Sequence, residues 1–473
     1  EMLNSANMSF ALCPLLTDGA IEALLTAGST EQQQHYIPKM VDGSWTGTMN
    51  LTEPQAGSDL ALVRTRAEPQ PDGSYKLFGT KIFITYGEHD MADNIVHMVL
   101  ARVVGAPEGV KGISLFICPK FLPDGQRNDV HCVSIEHKLG IKASPTAVLQ
   151  YGDGTAASNV NGTGPGAVAH LIGQENRGLE YMFIMMNAAR YAVGVQGVAI
   201  AERAYQKAVA YARDRVQSRP VDGSLNKSAP IIHHPDVKRM LMTMRACTEG
   251  CRAMAMVAAA AYDAAHHHPD ASARKQNAAF YEFLVPLVKG YSTEMSLEVA
   301  SLGVQVHGGM GFIEETGAAQ YLRDAKILTI YEGTTAIQAN DLVGRKTARD
   351  GGQVAKAIAG QIETTEAALA KRSSAASKAM HKHLVAARKA YLEVVDFVAG
   401  HTKASPNAVF AGSVPYLMLA GNLVAGWQMA RALIVAEDKT GEDATFMMAK
   451  AATARFYAEH ILSKVPGVRD SIV

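Results

Sequence analysis

The strongest constraint in this sequence is a helical hydrophobic pattern that continues for about 40 residues from Gly178. At 1.5 Å per residue, a helix of that length extends for about 60 Å. A second long helical pattern begins at Pro235, and a third is predicted to bend at Pro286, where proline removes a backbone donor. A fourth helix is predicted near Thr334. Long amphipathic helices with short connections predict a four-helix bundle.

The segment before this bundle has the pattern of β-structure. Residues 46–170 contain short runs of β-branched and aromatic residues, separated by Gly, Pro and Asp. Asp72 and Gly73 lie between two such runs, which is a hairpin signal. The spacing predicts an antiparallel β-barrel or sandwich. Residues 1–45 have helical spacing, and the chain begins at Glu1 rather than Met, so we expect helices here and a missing N-terminal piece.

These patterns predict an α+β fold in four parts. A chain of 473 residues, 48% of them hydrophobic, can form several cores. The expected parts are an N-terminal helical remainder (1–45), a middle β domain (46–170), a four-helix bundle (171–348) and an additional C-terminal helical domain (349–473). The helices expected in the last part are Gln353–Lys371, Ala375–His401, Ser413–Glu437 and Asp443–Leu462.

Composition and local sequence argue against several classes of partner and site. The balance of 45 basic and 45 acidic residues argues against a nucleic-acid partner. Five cysteines without a CxxC pair fit reduced thiols, so we expect a cytoplasmic protein. The apolar stretches Tyr181–Ile200 and Pro415–Trp427 contain charged or small polar residues and fit buried helices, so no integral membrane segment is expected. Adjacent histidines at 266–268 point in different directions, so no metal site is expected.

A polar turn follows the first predicted strand. In the segment Met49–Asp59, Pro54 and Gly57 favour a turn that exposes backbone N–H groups. The hydroxyl groups of Thr52 and Ser58 lie within the same turn. Such a surface can bind a polar ring edge or a phosphate, although an ordinary polar β-turn has the same sequence character.

Two further motifs are compatible with a flat, phosphorylated ligand. In "KIFIT", strand alternation places Phe83 and Thr85 on one face, which suits a flat heterocycle or, alternatively, a half-buried strand. Arg215, at the end of the long helix, could bind a phosphate bidentately or remain a solvated charge.

Glycines at the end of the third helix form a separate motif. The segment Gln305–Gly311 allows close approach to the backbone, and a simple helix C-cap is the alternative. It is not a dinucleotide-binding fingerprint, because no strand precedes it. The "NGTGPG" stretch at 161–166 is interpreted as a loop.

Glu332 lies in the apolar sequence "AKILTIYEGTT". Desolvation there raises the pKa of a carboxyl group, as general-base catalysis at a weakly acidic C–H bond requires. The alternative is that Glu332 caps the following helix or forms a salt bridge.

The motifs "LTEPQAGSD", "KIFIT" and "IYEGTT", in this order, resemble the acyl-CoA dehydrogenase family over about residues 1–347. The resemblance implies an N-terminal helical domain, a middle β domain and a four-helix bundle, with FAD between the β domain and the bundles. It also implies FAD-dependent α,β-dehydrogenation of an acyl-CoA to the trans-2-enoyl-CoA. Electrons would pass to an electron-transferring flavoprotein.

The resemblance assigns roles residue by residue. Glu332 matches the catalytic base. The positions that match FAD-binding residues are Met49, Leu51, Thr52, Ser58, Phe83, Thr85, Arg215, Gln217, Gln305, Gly309 and Thr334. The positions that match substrate-binding residues are Ser58, Asn187, Arg190 and Gly333. Arg215, Gln217, Gln305 and Gly309 match segments that reach the cofactor of a neighbouring subunit, which implies a homodimer.

The sequence departs from the family pattern at three positions. Phe83 stands where the family usually has Trp, Asn187 where many members have Asp, and Pro235 where many have an FAD-contacting Gln. The chain also continues to residue 473, so it is similar to the larger subgroup with an extra C-terminal helical domain. Within that subgroup it resembles 3-methylmercaptopropionyl-CoA dehydrogenases and broad-range bacterial acyl-CoA dehydrogenases. The alternatives are an acyl-CoA oxidase, a nucleic-acid-binding flavoprotein relative with little dehydrogenase activity, and a non-enzymatic acyl-CoA-binding paralogue.

Overall fold

A computed structural model describes residues 1–155, 165–439, 441 and 443–473. The fold is α+β, as predicted. The chain separates into two compact units, one formed by Ala6–Ala189 and the other by Glu1–Ser5 together with Arg190–Val473. The four-part domain division stays a prediction. Of the glycine-rich stretch at 161–166, residues 161–164 lie outside the described residues.

The unit Ala6–Ala189 contains two helices and an eight-stranded sheet. Its strands are β1 (Trp45–Asn50), β2 (Arg66–Pro69), β3 (Tyr75–Thr85), β4 (Asn94–Val103), β5 (Ser114–Pro119), β6 (Val130–Ile135), β7 (Thr146–Tyr151) and β8 (Ala167–Ile172). The strand order is β1-β4-β5-β8-β3-β7-β6, and β2 pairs with both β3 and β4. The strands β4, β5, β8, β3 and β2 therefore form a closed ring, which confirms the predicted barrel. Two pairs, β1 with β4 and β2 with β4, are parallel, and the other pairs are antiparallel.

The predicted hairpin at Asp72-Gly73 is present between β2 and β3. Pro69 pairs with Tyr75 at its closed end. Gly73 has φ of 84°, a conformation that glycine adopts without steric cost. The Asp72 carboxylate accepts hydrogen bonds from the Ser74 backbone N–H and hydroxyl at 2.9 and 2.6 Å. The turn chemistry therefore sets this register, as the sequence indicated.

A buried polar network fixes the end of β1, just before the Met49–Asp59 turn. The Asn50 amide donates to Thr48 Oγ1 at 2.8 Å, and the Tyr151 hydroxyl donates to Asn50 Oδ1 at 3.0 Å. Thr48 Oγ1 also lies 2.8 Å from His97 Nδ1. Thr48 Oγ1 accepts a hydrogen bond from Asn50. The Thr48 hydroxyl can therefore donate to His97 Nδ1 only if Nδ1 carries no proton. Burial lowers the pKa of His97 to about 3, in agreement with a neutral ring.

The low pKa of His97 predicts that the β unit loses stability in acid. The folded-state pKa of about 3 lies below the unfolded-state value, so the unfolded chain binds an extra proton between roughly pH 6.5 and pH 3. Stability is therefore complete above pH 6.5 and declines as the pH falls towards 3. We expect His97→Gln to reduce the fall in unfolding free energy between pH 7 and pH 4 by about 2–4 kcal/mol relative to wild type.

The measurement is urea unfolding followed by Trp45 fluorescence in a Trp427→Phe background. Trp45 is then the only tryptophan, and it lies in the β unit. His137→Gln, at an exposed position of the same unit, is the control. An equal pH dependence in His97→Gln and His137→Gln would contradict the prediction.

Two helices of the β unit precede the sheet, and a third leads out of it. The helices α1 to α4 are Met2–Ala6, Met8–Ala27, Thr30–Val41 and Gly178–Asp214. The N-terminal helical prediction is therefore confirmed, and α4 is a single helix of 37 residues. A buried apolar cluster of α2, β1, β4, β5 and the start of α4 forms the core on this side of the sheet.

The described part of the second unit is mainly helical. Its helices α5 to α15 are Pro235–His267, Ala271–Pro286, Ser292–His307, Ala318–Lys326, Thr335–Val343, Gln353–Ala370, Ala375–His401, Pro406–Ala411, Ser413–Asp438, Ala444–His460 and Val465–Arg469. Pro235 occupies the first turn of α5, and α9 begins after its N-cap Thr334, as expected. The four helices expected beyond residue 349 are present, with ends within three residues of the predicted ones.

The third long helix is interrupted where Pro286 predicted a bend. Helix α6 ends at Pro286, a π-helical turn spans Leu287–Tyr291, and α7 continues from Ser292. Helix α4 approaches this turn so closely that a Cβ on Gly194 would lie 2.4 Å from the Val288 carbonyl oxygen. Only glycine permits that approach, so the position of the π-turn depends on Gly194.

Three helices in the described residues are long and apolar enough to cross a membrane, by length and composition alone. They are Met8–Ala27, Gly178–Asp214 and Ser413–Asp438. In each of these helices, between 56% and 67% of the most apolar stretch is buried in the structure. Packing inside the protein therefore accounts for much of the apolar character of these helices. The expectation of no integral membrane segment stays a prediction.

Candidate active site

The turn after β1 is fixed by a buried ion pair that sequence reasoning missed. Lys81 Nζ donates to Glu53 Oε1 at 2.9 Å and to the Leu51 carbonyl at 3.0 Å. The two side chains are 0% and 3% exposed. Glu53 also accepts from the Arg64 and Thr65 backbone N–H groups and the Thr65 hydroxyl. Glu53 thus holds the turn in place. The acidic residue inside the polar motif "LTEPQAGSD" was the sequence feature that could have indicated this role.

The "LTEPQAGSD" and "KIFIT" motifs lie side by side. The Ile82 backbone N–H donates to the Thr52 carbonyl at 3.0 Å. Thr52 and Leu51 are partly exposed and Ser58 is exposed, so all three are accessible at the surface of the turn. Met49 is different, because its side chain is buried in the apolar core beneath β1. Met49 can therefore meet a ligand on this surface only through its backbone.

A β-bulge interrupts the strand alternation assumed for Phe83 and Thr85. The β3–β7 register shifts between Lys81 and Ile84, and both of these residues are buried although they are three apart. Phe83 lies within the bulge with φ of 60° and its side chain is 60% exposed. Bulky residues rarely adopt positive φ, and strain of this kind concentrates at functional sites. The bulge, rather than simple alternation, presents Phe83 to the surface beside partly buried Thr85.

Arg215 and Gln217 lie on a short extended arm after α4. The arm is held by backbone hydrogen bonds from Gln217 N–H to the Ala229 carbonyl (3.0 Å) and from Ile231 N–H to the Arg215 carbonyl (2.8 Å). Both side chains are exposed. Their backbone is ordered while their polar groups are accessible, which suits contact with a phosphate or with another chain.

The glycine turn after α7 carries exposed apolar residues. Gln305 and Gly309 are exposed, and a Cβ on Gly309 would meet no atom within 4 Å. Phe312 is 87% exposed and Met310 is 50% exposed. Exposed apolar side chains close to the polar Gln305 are compatible with an interaction surface.

Glu332 lies in a tight turn between α8 and α9. Glu332 has φ of 54° and Gly333 has φ of 87°. Thr334 is the N-cap of α9, and its hydroxyl accepts from the Ile337 N–H at 3.3 Å. The alternative that Glu332 caps this helix is therefore wrong. The turn leaves the partly buried Glu332 side chain outside the helix, while the Thr334 hydroxyl forms the cap.

Two buried cations flank the Glu332 turn. Lys289, at the centre of the π-turn, is 0% exposed and donates from Nζ to the Gly333 carbonyl at 2.6 Å. Arg190 on α4 is 3% exposed, and its Nη1 lies 3.9 Å from Asp341 Oδ2 on α9. Gln338 also donates to the Glu332 and Gly333 carbonyls, both at 3.3 Å. Helices α4 and α9 and the π-turn thus converge on the turn that carries Glu332.

The electrostatics of the turn fit a base. Burial raises the pKa of Glu332, and the opposing attraction of Arg190 and Lys289 lowers it by less. Burial lowers the pKa of Lys289 to about 7, even though Glu332 favours its charged form. The raised pKa predicted from the apolar sequence is therefore confirmed, and a carboxylate so placed accepts a proton more readily than a solvated one.

Asn187 and Arg190 have different environments although they are three residues apart on α4. Asn187 is exposed and Arg190 is buried near Glu332 and Asp341. Arg190 therefore acts on the turn that carries the candidate base. Lys289 had escaped sequence reasoning, although a lone lysine in the apolar run "EFLVPLVKGYS" was a usable signal.

Among the described residues, no group of three or more His, Cys, Asp or Glu side chains could hold a metal ion. The five cysteines are free, and Cys247 and Cys251 are buried.

Comparison with known proteins identifies the class that this fold and site define. Residues 48–153 match the model of the acyl-CoA dehydrogenase middle domain, and residues 176–346 match the acyl-CoA dehydrogenase C-terminal domain. Residues 354–473 match the model described as acetyl-CoA dehydrogenase C-terminal like. These models define an FAD-dependent oxidoreductase. The chain belongs to the acyl-CoA dehydrogenase family, in agreement with the sequence resemblance.

Two relatives and one solved structure illustrate the similarity. The chain is 57% identical to the 3-methylmercaptopropionyl-CoA dehydrogenase of Ruegeria pomeroyi, over 98% of this chain and 77% of that protein. It is 37% identical to a broad-specificity linear acyl-CoA dehydrogenase of Mycobacterium tuberculosis, over 94% of this chain and 74% of that protein. An acyl-CoA dehydrogenase from Bacillus anthracis complexed with FAD has the same fold, with a TM-score of 0.76 at 23% identity, over 95% of this chain and 72% of that one.

Proposed function

We propose that this protein converts an acyl-CoA thioester to the trans-2-enoyl-CoA, with Glu332 as the base that removes the α-proton. The main support is the Glu332 turn. The Glu332 carboxyl group has a raised pKa there, and the buried side chains of Arg190 and Lys289 lie beside the turn. The strained φ of Glu332 keeps the side chain outside α9. The base is therefore preorganised rather than recruited by substrate.

The residues present fit the FAD that the family uses. In the β unit, the exposed Phe83 ring lies on a bulge, and its neighbour Ile82 is bonded to Thr52 in the turn after β1, which suits a flat ring with polar edges. Arg215 and Gln217 have accessible polar groups that suit a pyrophosphate. Leu51, Thr52, Ser58, Thr85 and Thr334 would add backbone and hydroxyl contacts. When bound, FAD supplies an acceptor for the hydride that leaves the β-carbon.

Residues of this chain would bind the α-proton of the substrate and set the charge around the base. Glu332 accepts the α-proton and becomes neutral, and the positive charges of Arg190 and Lys289 favour its ionised, proton-accepting form beforehand. Gly333 lets the turn pack closely against α9, because a Cβ there would lie 2.8 Å from Gln338 Nε2. Asn187 and Ser58, both exposed, are the proposed contacts for the CoA portion.

The substrate we propose is 3-methylmercaptopropionyl-CoA. The support is the 57% identity, over nearly the whole chain, to a dehydrogenase of that name. Straight-chain acyl-CoA is the second candidate, since a relative at 37% identity is named for linear substrates.

The assembly and electron acceptor are also proposals. We propose a homodimer in which Arg215, Gln217, Gln305 and Gly309 reach the partner's FAD, supported by their exposure and by exposed Met310 and Phe312 nearby. We propose that an electron-transferring flavoprotein receives the electrons in the cytoplasm. The free cysteines support a reducing compartment.

The test is the anaerobic visible spectrum of the purified FAD-loaded protein before and after adding acyl-CoAs. The panel contains 3-methylmercaptopropionyl-CoA, butyryl-CoA and octanoyl-CoA. We expect the first to bleach the flavin band fastest, and the product to be a trans-2-enoyl-CoA by mass and absorbance. Bleaching by none of the three contradicts the proposed function.

Two further outcomes separate the alternatives. Rapid reoxidation of the reduced protein by oxygen would indicate an acyl-CoA oxidase. Fastest bleaching by butyryl-CoA or octanoyl-CoA would leave the dehydrogenase activity intact and overturn the proposed substrate.

A further inference from the structure

Lys289 is the least expected charge in the helical unit. It is 0% exposed, and a buried ammonium is costly unless nearby groups compensate it. The hydrogen bond that its Nζ donates goes to a backbone carbonyl, that of Gly333, at 2.6 Å. A buried cation that donates to the residue beside a proposed catalytic base requires an explanation beyond packing.

The π-turn explains how Lys289 reaches this carbonyl. The extra residue of a π-turn displaces the helix backbone locally, and such turns are frequent at functional sites. The Lys289 carbonyl accepts from the Ser292 backbone N–H and from the Thr293 hydroxyl, the latter at 2.7 Å. Gly194 and Gly197 on α4 admit the turn, because a Cβ on either would lie within 3 Å of a backbone oxygen of Val288 or Ser292. The two glycines of α4 therefore make room for the backbone of the π-turn that contains Lys289.

The contact also spans a long stretch of sequence. Lys289 and Gly333 are 44 residues apart, so the hydrogen bond ties the π-turn before α7 to the turn before α9. Glu332 and Gly333 both have positive φ, and a backbone in this region persists only where its surroundings over-determine it. Gln338 supplies longer bonds of 3.3 Å to the same two carbonyls. The 2.6 Å bond from Lys289 is the shortest of the three.

The charges around this contact come from every neighbouring segment. Glu332 from the turn, Arg190 from α4 and Glu294 from α7 act on Lys289. Arg190 and Lys289 both act on Glu332. Glu294 is engaged by the Thr335 hydroxyl at 2.5 Å, and Asp341 on α9 is shared by Arg190 and Arg345. Glu332 is thus the carboxylate left between two buried cations without a salt bridge of its own among the described residues.

We propose that Lys289 is the positioning residue of the catalytic base. Its ammonium fixes the Glu332–Gly333 turn through the Gly333 carbonyl and keeps a positive charge beside the Glu332 carboxylate. The hydrogen bond sets where the base lies, and the charge sets the pH at which it is ready to accept a proton. This inference rests on the proposed function, because it takes Glu332 to be the base.

Two substitutions separate the hydrogen bond from the charge. Lys289→Met removes both and keeps an unbranched, slightly shorter side chain. Lys289→Gln removes the charge and keeps an N–H donor. Lys326→Met, at an exposed position on α8, is the matched control.

The first measurement needs no substrate. The protonated carboxyl band of Glu332 in the infrared spectrum of the FAD-loaded protein is assigned by its loss in Glu332→Gln and followed against pH. Removing a nearby positive charge raises the pKa of a carboxyl group. We expect the midpoint to move to higher pH in both Lys289 variants and to be unchanged in Lys326→Met. An unchanged midpoint in Lys289→Met overturns the inference.

The second measurement is the rate of flavin reduction by the best acyl-CoA against pH. We expect Lys289→Met to be slower than wild type by roughly 10- to 100-fold at every pH, with KM little changed, since a displaced base loses alignment. Lys289→Gln should approach the wild-type rate above its shifted midpoint. A wild-type rate for Lys289→Met overturns the inference.

The two measurements also separate the two proposals. If no acyl-CoA bleaches the wild-type flavin, the proposed function fails, and the infrared midpoint still decides whether Lys289 controls the Glu332 carboxyl group.

Discussion

Replacing Glu332 by glutamine should lower the rate of flavin reduction by about 10²- to 10⁴-fold, the range that a positioned general base supplies. Glutamine has the size of glutamate and cannot accept the α-proton. The turn is set by the Gly333 conformation, the Thr334 cap and the bonds to the two backbone carbonyls, none of which needs the Glu332 carboxylate. We therefore expect Glu332→Gln to fold and to bind FAD as wild type does.

The measurement is stopped-flow bleaching of the FAD-loaded variant with the acyl-CoA that reduces wild type fastest. FAD content per chain and thermal unfolding are recorded on the same sample. Glu315→Gln, an exposed glutamate in the same unit, should match wild type. A Glu332→Gln rate within a few-fold of the Glu315→Gln rate would exclude Glu332 as the base.

Replacing Lys81 by methionine should lower the unfolding free energy of the β unit by about 3–5 kcal/mol, because removing one member of a buried ion pair leaves the other charge uncompensated. The pair is 0% and 3% exposed, with a separation of 2.9 Å. Lys81 also donates to the Leu51 carbonyl, so the same change loosens the turn proposed to contact the flavin. We expect a lower FAD content together with the lower stability.

Urea unfolding followed by Trp45 fluorescence in the Trp427→Phe background reports on this unit. Lys111→Met removes an exposed lysine from the same unit and should change its stability by less than about 0.5 kcal/mol. Combining Lys81→Met with Glu53→Gln should recover part of the loss, since no charge is then left buried. Equal midpoints for Lys81→Met and Lys111→Met would show that the ion pair contributes nothing to stability.

Local patterns in the sequence predicted most of the secondary structure. The 37-residue helix, the break at Pro286, the Asp72-Gly73 hairpin and the start of α9 at Thr334 all follow from neighbouring residues. Hydrophobic periodicity, proline and turn glycines act over a few residues, so their effects can be read without knowing the fold. The motif order predicted the family for the same reason, because each motif is a short local segment.

The same local reasoning failed where backbone geometry departs from regular elements. The strand containing Phe83 was expected to alternate, but a bulge gives Phe83 a positive φ and exposes its ring. The Glu332 turn was left open between a catalytic role and a helix cap, and the Thr334 hydroxyl occupies the cap. Both differences arise because a residue's own propensity does not decide its backbone conformation when distant contacts do.

By itself, the sequence determined the α+β class, the long helices, the acyl-CoA dehydrogenase family and the identity of the candidate base. Only the tertiary structure decided what surrounds that base. Lys289 lies 44 residues before Gly333, and Arg190 lies farther away on α4. Their convergence depends on the close approach of α4 to the π-turn at Gly194. Periodicity reports which face of a helix is buried, whereas the pairing of particular charges inside a core depends on how helices pack against one another.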